Sequence, residues 1–328
     1  MDAGAPHTPA RFAPYRAPKW LPGGHAQTIY PLLIKPARPP YRRERRETPD
    51  GDFIDLDWID GDPSAPLVIL FHGLEGSSRS HYATSLMHAL QARGWTGVVS
   101  HFRGCSGEPN RKPRAYHSGD SDEIDWVLHW LHQQNPKRPL FAVGVSLGGN
   151  ALLKWLGERE FVAAGIVEAA ASVCAPLDLT ICGHHLGHGF NKVYTQHFLT
   201  TLKANAAEKL KQFPGLFDEQ RMRRARNLYE FDDVVTAPLH GYRDADDYWQ
   251  RASAKPLLRG IRVPTLVLNA KNDPFLPAHA LPHDNEVSVK VTLDQPAEGG
   301  HVGFVSGSLP GRLDWLPLRL LHFFDHRN

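Results

Sequence analysis

The residues best placed to do chemistry are Gly144-Val145-Ser146-Leu147-Gly148, followed by Gly149. Their G-x-S-x-G spacing is the pattern of a nucleophile elbow, a tight turn that lifts a serine hydroxyl into reach of a substrate. The context fits that pattern. An apolar run, Leu140–Val145, precedes the serine, and a helix is expected after it, through about Trp155. Gly144 and Gly148 lack side chains that would collide across so sharp a turn. The helix that follows aims its first amides at negative charge developing near Ser146. A serine hydroxyl is a weak nucleophile without a base, so partners must be sought elsewhere in the chain.

The order Ser, then acid, then His puts the base near the end of the chain. There are 19 histidines, so position has to choose among them. His301 alone falls between the last expected strand and the last expected helix, whereas His322 and His326 lie within or beyond that helix. The acid should sit in a loop after a strand. Asp273 does so, in the turn Asn269-Ala-Lys-Asn-Asp273-Pro274-Phe275 that follows the apolar run Val263–Asn269. Asp178 is the rival, because it follows the preceding strand; Asp294 is near His301 in sequence only. An oxyanion needs two preorganised donors. The N–H of Leu147, next to the serine, supplies one, and the N–H of Leu74, in the loop after His72-Gly73, supplies the other. His72 itself reads as a structural residue of that turn.

These residues need a scaffold, and the hydropathy pattern provides one. Phe53, Leu56 and Trp58 suggest an early strand pairing with what precedes it. Leu67–Phe71, Trp95–Phe102, Leu140–Val145, Ile166–Cys174 and Val263–Asn269 are short apolar runs typical of strands buried on both faces. Val287, Val289, Val291 and Leu293 alternate as one face of a last strand. Tyr82, Leu86 and Leu90 recur at helical spacing up to Gly94. Asp120 and Glu123 have capping-box spacing ahead of the stripe Ile124, Val127, Leu128 and Leu131. A final helix is expected around Leu313–Phe324, although it carries Pro317. Regular alternation of strand and helix argues for an α/β fold with a mostly parallel sheet and helices on both faces. Residues 177–258 break the rhythm and read as a mainly helical cap inserted over the carboxyl ends of the strands. Residues 1–176 and 259–328 then form the core, with a Pro- and Arg-rich N-terminal arm over 1–45.

Composition narrows the function classes. Lys and Arg number 37 against 35 Asp and Glu in 328 residues, and this near-neutral balance gives no footing to a nucleic-acid protein. No apolar run is long enough to cross a bilayer, so no stable membrane insertion is expected. The first twenty residues hold four prolines and no apolar stretch of the kind a secretory signal needs. Three cysteines, Cys105, Cys174 and Cys182, make no disulfide framework and fit a reducing cytoplasm.

Three motifs together, His72-Gly-Leu-Glu-Gly76, Phe102-Arg-Gly-Cys-Ser-Gly107 and Gly144-Val-Ser-Leu-Gly-Gly149, resemble those of the α/β-hydrolase superfamily. More narrowly, the chain resembles the YheT-like hydrolases, the branch that includes the medium-chain fatty-acid ethyl-ester synthase/esterases of yeast. That likeness rests on Trp20-Leu-Pro-Gly-Gly-His25-Ala-Gln-Thr28, Pro49-Asp-Gly-Asp-Phe-Ile-Asp-Leu-Asp57, Tyr116-His-Ser-Gly-Asp120 and Asn269-Ala-Lys-Asn-Asp273-Pro-Phe275, spread over nearly the whole chain. The resemblance implies Ser146, Asp273 and His301 as the triad and Leu74 and Leu147 as oxyanion donors. It implies hydrolysis or acyl transfer on short- to medium-chain esters, a small-molecule ester as partner, and no cofactor.

Other features invite other readings. Gly24-His25-Ala26-Gln27-Thr28 could reach the site, but reads chiefly as an anchor for the N-terminal arm. His184, His185 and His188 suggest a metal, but no carboxylate or cysteine completes the set, so no metal is expected. Arg221, Arg223, Arg224 and Arg226 read as a solvated helix face, with contact to anionic lipid the lesser option. The expected function is a serine esterase. The alternatives are an acyltransferase that makes esters from an acyl donor and an alcohol, and a non-catalytic ligand-binding protein on the same fold.

Overall fold

The apolar runs become the centre of one sheet because each can bury both of its faces. A computed structural model describes residues 12–34 and 36–327. Of the arm expected over 1–45, residues 1–11 and Lys35 lie outside the described residues, as does Asn328. The strands are β1 (Arg42–Glu47), β2 (Phe53–Ile59), β3 (Leu67–Phe71), β4 (Thr96–Ser100), β5 (Leu140–Val145), β6 (Ala169–Val173), β7 (Thr265–Leu268) and β8 (Val291–Asp294). They form a single eight-stranded sheet in the order β1-β2-β4-β3-β5-β6-β7-β8. The pairs β1/β2 and β2/β4 are antiparallel and the rest are parallel.

Helices cover both faces: α1 (Gly24–Ile29), α2 (His81–Ala92), α3 (Ser121–Gln134), α4 (Leu147–Arg159), α5 (Phe161–Ala164) and, at the end of the chain, α12 (Trp315–Asp325). Between β6 and β7 run α6 (Leu179–Leu186), α7 (Lys192–Gln212), α8 (Glu219–Arg224), α9 (Leu228–Phe231), α10 (Ala237–Leu239) and α11 (Ala245–Ala252). The period of two along a strand sorts the core into two layers. Leu67, Ile69 and Phe71 pack with Val127 and Leu128 of α3 and Ala151 of α4. Val68 and Leu70 pack with Leu86 and Met87 of α2 and Leu320 and Phe324 of α12. Burying each such side chain contributes roughly 1.5–3 kcal/mol, so the central strands anchor the fold.

The charged run 42–47 lies on the exposed edge strand, where charge deters pairing with another chain. The antiparallel register sets Arg43 opposite Asp57 and Arg45 opposite Asp55. Each guanidinium grips its carboxylate with two hydrogen bonds of 2.7–2.9 Å. No helix among the described residues is long and apolar enough to cross a membrane.

Three local expectations are corrected. Asp120 precedes α3 but its side chain makes no capping bond. It pairs with Arg114, while Glu123 accepts from Arg103 Nε at 2.5 Å, so tertiary ion pairs win over the local cap. The alternating run 287–293 yields only β8, and Val289 is fully exposed, because the four residues of β7 leave nothing further to pair with. The last helix begins at Trp315, which puts Pro317 in its first turn, where a missing N–H costs nothing.

Candidate active site

The serine turn is as tight as its glycines imply. Ser146 has φ 53° and ψ −119°, and α4 begins at the next residue. Its N–H donates to Val173 O at 2.8 Å, tying the turn to β6. A Cβ on Gly148 would lie 2.5 Å from the carbonyl oxygens of Phe71 and His72, and one on Gly144 would lie 2.5 Å from Gly148 O. Close approach of three backbone segments therefore requires both glycines.

Two loops at the same end of the sheet deliver the partners. His301 Nε2 is 3.0 Å from Ser146 Oγ, and His301 Nδ1 is 2.8 Å from Asp273 Oδ2. A carboxylate can only accept, so Nδ1 carries the proton and the Nε2 lone pair faces the serine hydroxyl. The Asp273 side chain is wholly inaccessible, and its other oxygen accepts from Phe275 N–H at 2.8 Å. The Phe275 ring stacks on His301 with centroids 4.1 Å apart. The rivals are occupied elsewhere. Asp178 caps α6 by accepting from Ile181 N–H at 3.0 Å. Asp294 accepts from Arg319 Nε at 2.7 Å.

The loop after β3 closes over the serine. A Cβ on Gly73 would be 3.1 Å from Ser146 Cβ. Leu74 and Leu147 line the same cavity as Ser146 and His301. Among the described residues, neither Leu74 N–H nor Leu147 N–H makes a hydrogen bond to the protein. The loop is braced on all sides. His72, fully buried, donates from Nδ1 to Gly73 O at 2.8 Å and accepts Phe102 N–H at Nε2 (3.1 Å). Burial pushes its imidazole down to about 3, so it stays neutral. Tyr82 Oη accepts Gly73 N–H at 3.0 Å. Glu75 adopts φ 55°, and Tyr116 Oη both accepts its N–H and donates to its Oε1, each at 2.8 Å.

The serine opens into a cavity of about 380 Å³ roofed by the helices between β6 and β7. Leu179, Leu186, Phe198, Leu202, Phe231 and Trp249 give it an apolar wall. Its volume is at the small end of the range for ligand pockets.

Cys174, Asp273 and His301 bring one potential metal-binding atom each to within 4.8 Å of one another. Burial and the neighbouring Asp273 charge hold the Cys174 thiol well above its ordinary value, so it stays protonated. His301 Nδ1–H is already directed at Asp273. A neutral thiol and a protonated ring nitrogen fit a hydrogen-bonded network better than a metal. His184, His185 and His188 do not converge on a common point among the described residues. Instead, the ring of exposed His184 stacks against Tyr229.

Several contributors to the site were not assigned to it from the sequence. Glu75 and Tyr116 fall inside the motifs His72–Gly76 and Tyr116–Asp120, yet only the fold shows that they meet. Gln27 and Thr28, expected to anchor the arm, contact the His301 loop directly. Arg103, in the Phe102–Gly107 motif, lines the cavity and is bound to Asp50, Asp52 and Glu123.

Similarity to known proteins agrees with this architecture. A family model described as alpha/beta hydrolase fold matches residues 66–308. Over 326 residues the chain is 43% identical to the Escherichia coli (strain K12) protein named "Putative esterase YheT", covering 97% of this chain and 94% of that one. It is 32% identical to Phospholipase ABHD3 of Homo sapiens, over 93% of this chain and 76% of that one. The structure of the Pyrococcus furiosus esterase PF2001 superposes with a TM-score of 0.56 at 16% identity, covering 90% of this chain and 98% of that one, a likeness of fold. These relatives support a hydrolase. By its sequence, sheet order and elbow, the chain belongs to the α/β-hydrolase fold family, in its YheT-like branch.

Proposed function

We propose that this protein is a serine hydrolase of carboxylic esters with short- to medium-chain acyl groups. The observation that carries the reading is the continuous line from Ser146 Oγ to His301 Nε2 (3.0 Å) and from His301 Nδ1 to Asp273 Oδ2 (2.8 Å), at the wall of an apolar cavity. Ser146 Oγ attacks the ester carbonyl carbon as His301 Nε2 takes its proton. The Nδ1–H bond to Asp273 keeps the required tautomer and stabilises the imidazolium. Leu74 and Leu147 N–H groups hold the oxyanion. Collapse expels the alcohol, which takes the proton from His301. Water, deprotonated by His301, then releases the acid from the acyl-serine. The helices α6–α11 act as a cap whose apolar face receives the acyl chain.

Support for an ester comes from relatives named as an esterase, a phospholipase and, in Saccharomyces cerevisiae, a monoacylglycerol lipase. The modest cavity favours short to medium acyl chains over long ones. Free Cys105, Cys174 and Cys182 suit a reducing compartment, and the reading places the activity in the cytoplasm.

Hydrolysis of p-nitrophenyl esters from acetate to decanoate, by the parent chain and Ser146→Ala side by side, tests the proposal. The expected result is an optimum at short to medium length, abolished in the variant, with fluorophosphonate labelling of Ser146. A parent chain that neither hydrolyses any ester nor labels would overturn it.

A further inference from the structure

The loop carrying His301 has a shape its own residues do not favour. Gly300, Val302 and Phe304 have φ of 59°, 57° and 43°, and the left-handed region is costly for a β-branched or aromatic residue. Such a conformation persists only where surrounding groups impose it. The nearest supports are His81, whose Nε2 donates to Val302 O at 2.9 Å, and Cys174, whose Sγ accepts Val302 N–H at 3.3 Å. The Cys174 thiol also donates to Gly300 O at 3.8 Å, but neither residue bonds the N–H groups of His301 or of the two glycines before it.

Those backbone groups are held by α1, far away in sequence. Thr28 Oγ1 accepts His301 N–H at 2.8 Å and donates to Gly24 O at 2.7 Å. Gln27 Oε1 accepts both Gly299 N–H and Asn272 Nδ2, each at 2.9 Å. Asn272, the neighbour of Asp273, completes the bridge by accepting Gly300 N–H at Oδ1 (3.0 Å). Gln27 Nε2 is fixed in turn by donating to Leu21 O at 3.0 Å. Gln27 is 0% exposed and Thr28 7%, so water cannot substitute for these partners. The backbones nearly touch, since a Cβ on Gly303 would overlap Gln27 O. An arm that merely anchored itself would have no need to place its two polar side chains on Gly299 N–H and His301 N–H, either side of the Gly300 N–H that Asn272 takes.

We propose that Gln27 and Thr28 are positioning residues for His301. They clamp the His301 loop to the Asp273 loop and so set the distance from the imidazole to Ser146 and to Asp273. This rests on the reading of Ser146, His301 and Asp273 as the reacting groups.

The test compares parent, Thr28→Val and Thr28→Ser. Turnover of p-nitrophenyl butyrate and the rate of fluorophosphonate labelling are measured well below the Tm of each. Thr28→Val keeps the shape and removes the acceptor. It is expected to lower kcat and labelling at least tenfold with KM within twofold, while Thr28→Ser stays within threefold of the parent. Parent-like kcat and labelling in Thr28→Val, whatever its Tm, would overturn the proposal. So would an equal loss in Thr28→Ser, because the hydroxyl would then not be the cause. If Thr28→Val does not fold, Asn272→Ala at a half-exposed position removes the bridge to Gln27 and Gly300. A parent-like kcat there overturns the proposal, and a kcat loss at unchanged KM supports it. A parent chain without turnover or labelling would overturn the serine reading and this proposal with it; an active parent with an indifferent Thr28→Val overturns this proposal alone.

Discussion

Glu75 and Asn205 join the loop after β3 to the helices above it: Asn205 Nδ2, on α7, donates to Glu75 Oε2 at 3.0 Å, one residue beyond Leu74. Glu75 Oε1 is held at the same time by the half-buried Tyr116 hydroxyl at 2.8 Å. One carboxylate thus couples the position of α7 to the direction of the Leu74 N–H. Losing an oxyanion donor outright costs roughly 10²–10³ in kcat. Glu75→Ala loosens the loop without removing the donor, so a loss of about tenfold in kcat is expected, with Asn205→Ala smaller but in the same direction. Steady-state kinetics on p-nitrophenyl butyrate checks this, and parent-like kcat in Glu75→Ala would show that the loop holds without the carboxylate.

Asp273→Asn should preserve the packing and invert the chemistry. An Asn amide can donate to His301 Nδ1, which would put the ring proton on Nε2, facing Ser146, where a base is needed. A kcat lower by about 10⁴-fold is expected, with Tm close to the parent. If kcat stayed within tenfold, Asp273 would have no part in setting the tautomer.

Asp232 predicts a pH-dependent stability. Its carboxylate accepts from Trp249 Nε1 at 2.8 Å and Thr236 Oγ1 at 2.5 Å, and among the described residues it pairs with no cation. Burial pushes it up from 3.8 to about 6. The folded state therefore holds a proton more tightly than the unfolded chain. The associated stability is fully present below pH 3.8 and is lost as pH rises through about 6. Asp232→Asn removes the charge, and the Thr236 hydroxyl can turn to accept from the amide. The variant should be more stable than the parent by about 1–2 kcal/mol at pH 8, allowing for partial exposure of the residue, and no more stable at pH 4. Denaturant melts at the two pH values decide it; an equal effect at both would assign the change to packing.

Gly148→Ala should damage folding before activity. The added methyl would meet the carbonyl oxygens of Phe71 and His72 at 2.5 Å, backbone atoms at the centre of the sheet that cannot move aside. Overpacking of this kind costs roughly 1–3 kcal/mol or more. A melting curve superimposable on the parent's would mean that β3 and α4 separate more easily than the geometry implies.

Much of this protein is written in short stretches of sequence. The elbow around Ser146 is legible because strand, turn and helix are contiguous and each has its own signature: apolar run, paired glycines, helical spacing. The central strands are legible because burial on both faces leaves no polar position in a run such as Leu67–Phe71. The order of serine, acid and histidine along the chain points to His301 among 19 histidines, and the fold sets it between Ser146 and Asp273. Local pattern misleads where a distant partner competes. Asp120 and Glu123 have the spacing of a cap, but a guanidinium binds a carboxylate more strongly than a backbone N–H does, and Arg114 and Arg103 take them. The alternation over 287–293 is genuine, yet a strand extends only as far as its neighbour, and β7 has four residues.

What tertiary structure alone decided is which groups meet. The bonds that assemble the site link residues 28, 155 and 273 positions apart. Periodicities of 2 and 3.6 say which face a residue takes, but nothing about contacts at those separations. The serine, acid and histidine could be chosen by residue type and order, because chemistry restricts what can serve. Gln27, Thr28 and Glu75 could not, because an amide, a hydroxyl and a carboxylate are common on any surface and acquire a role here only when the closed fold sets them against the two loops.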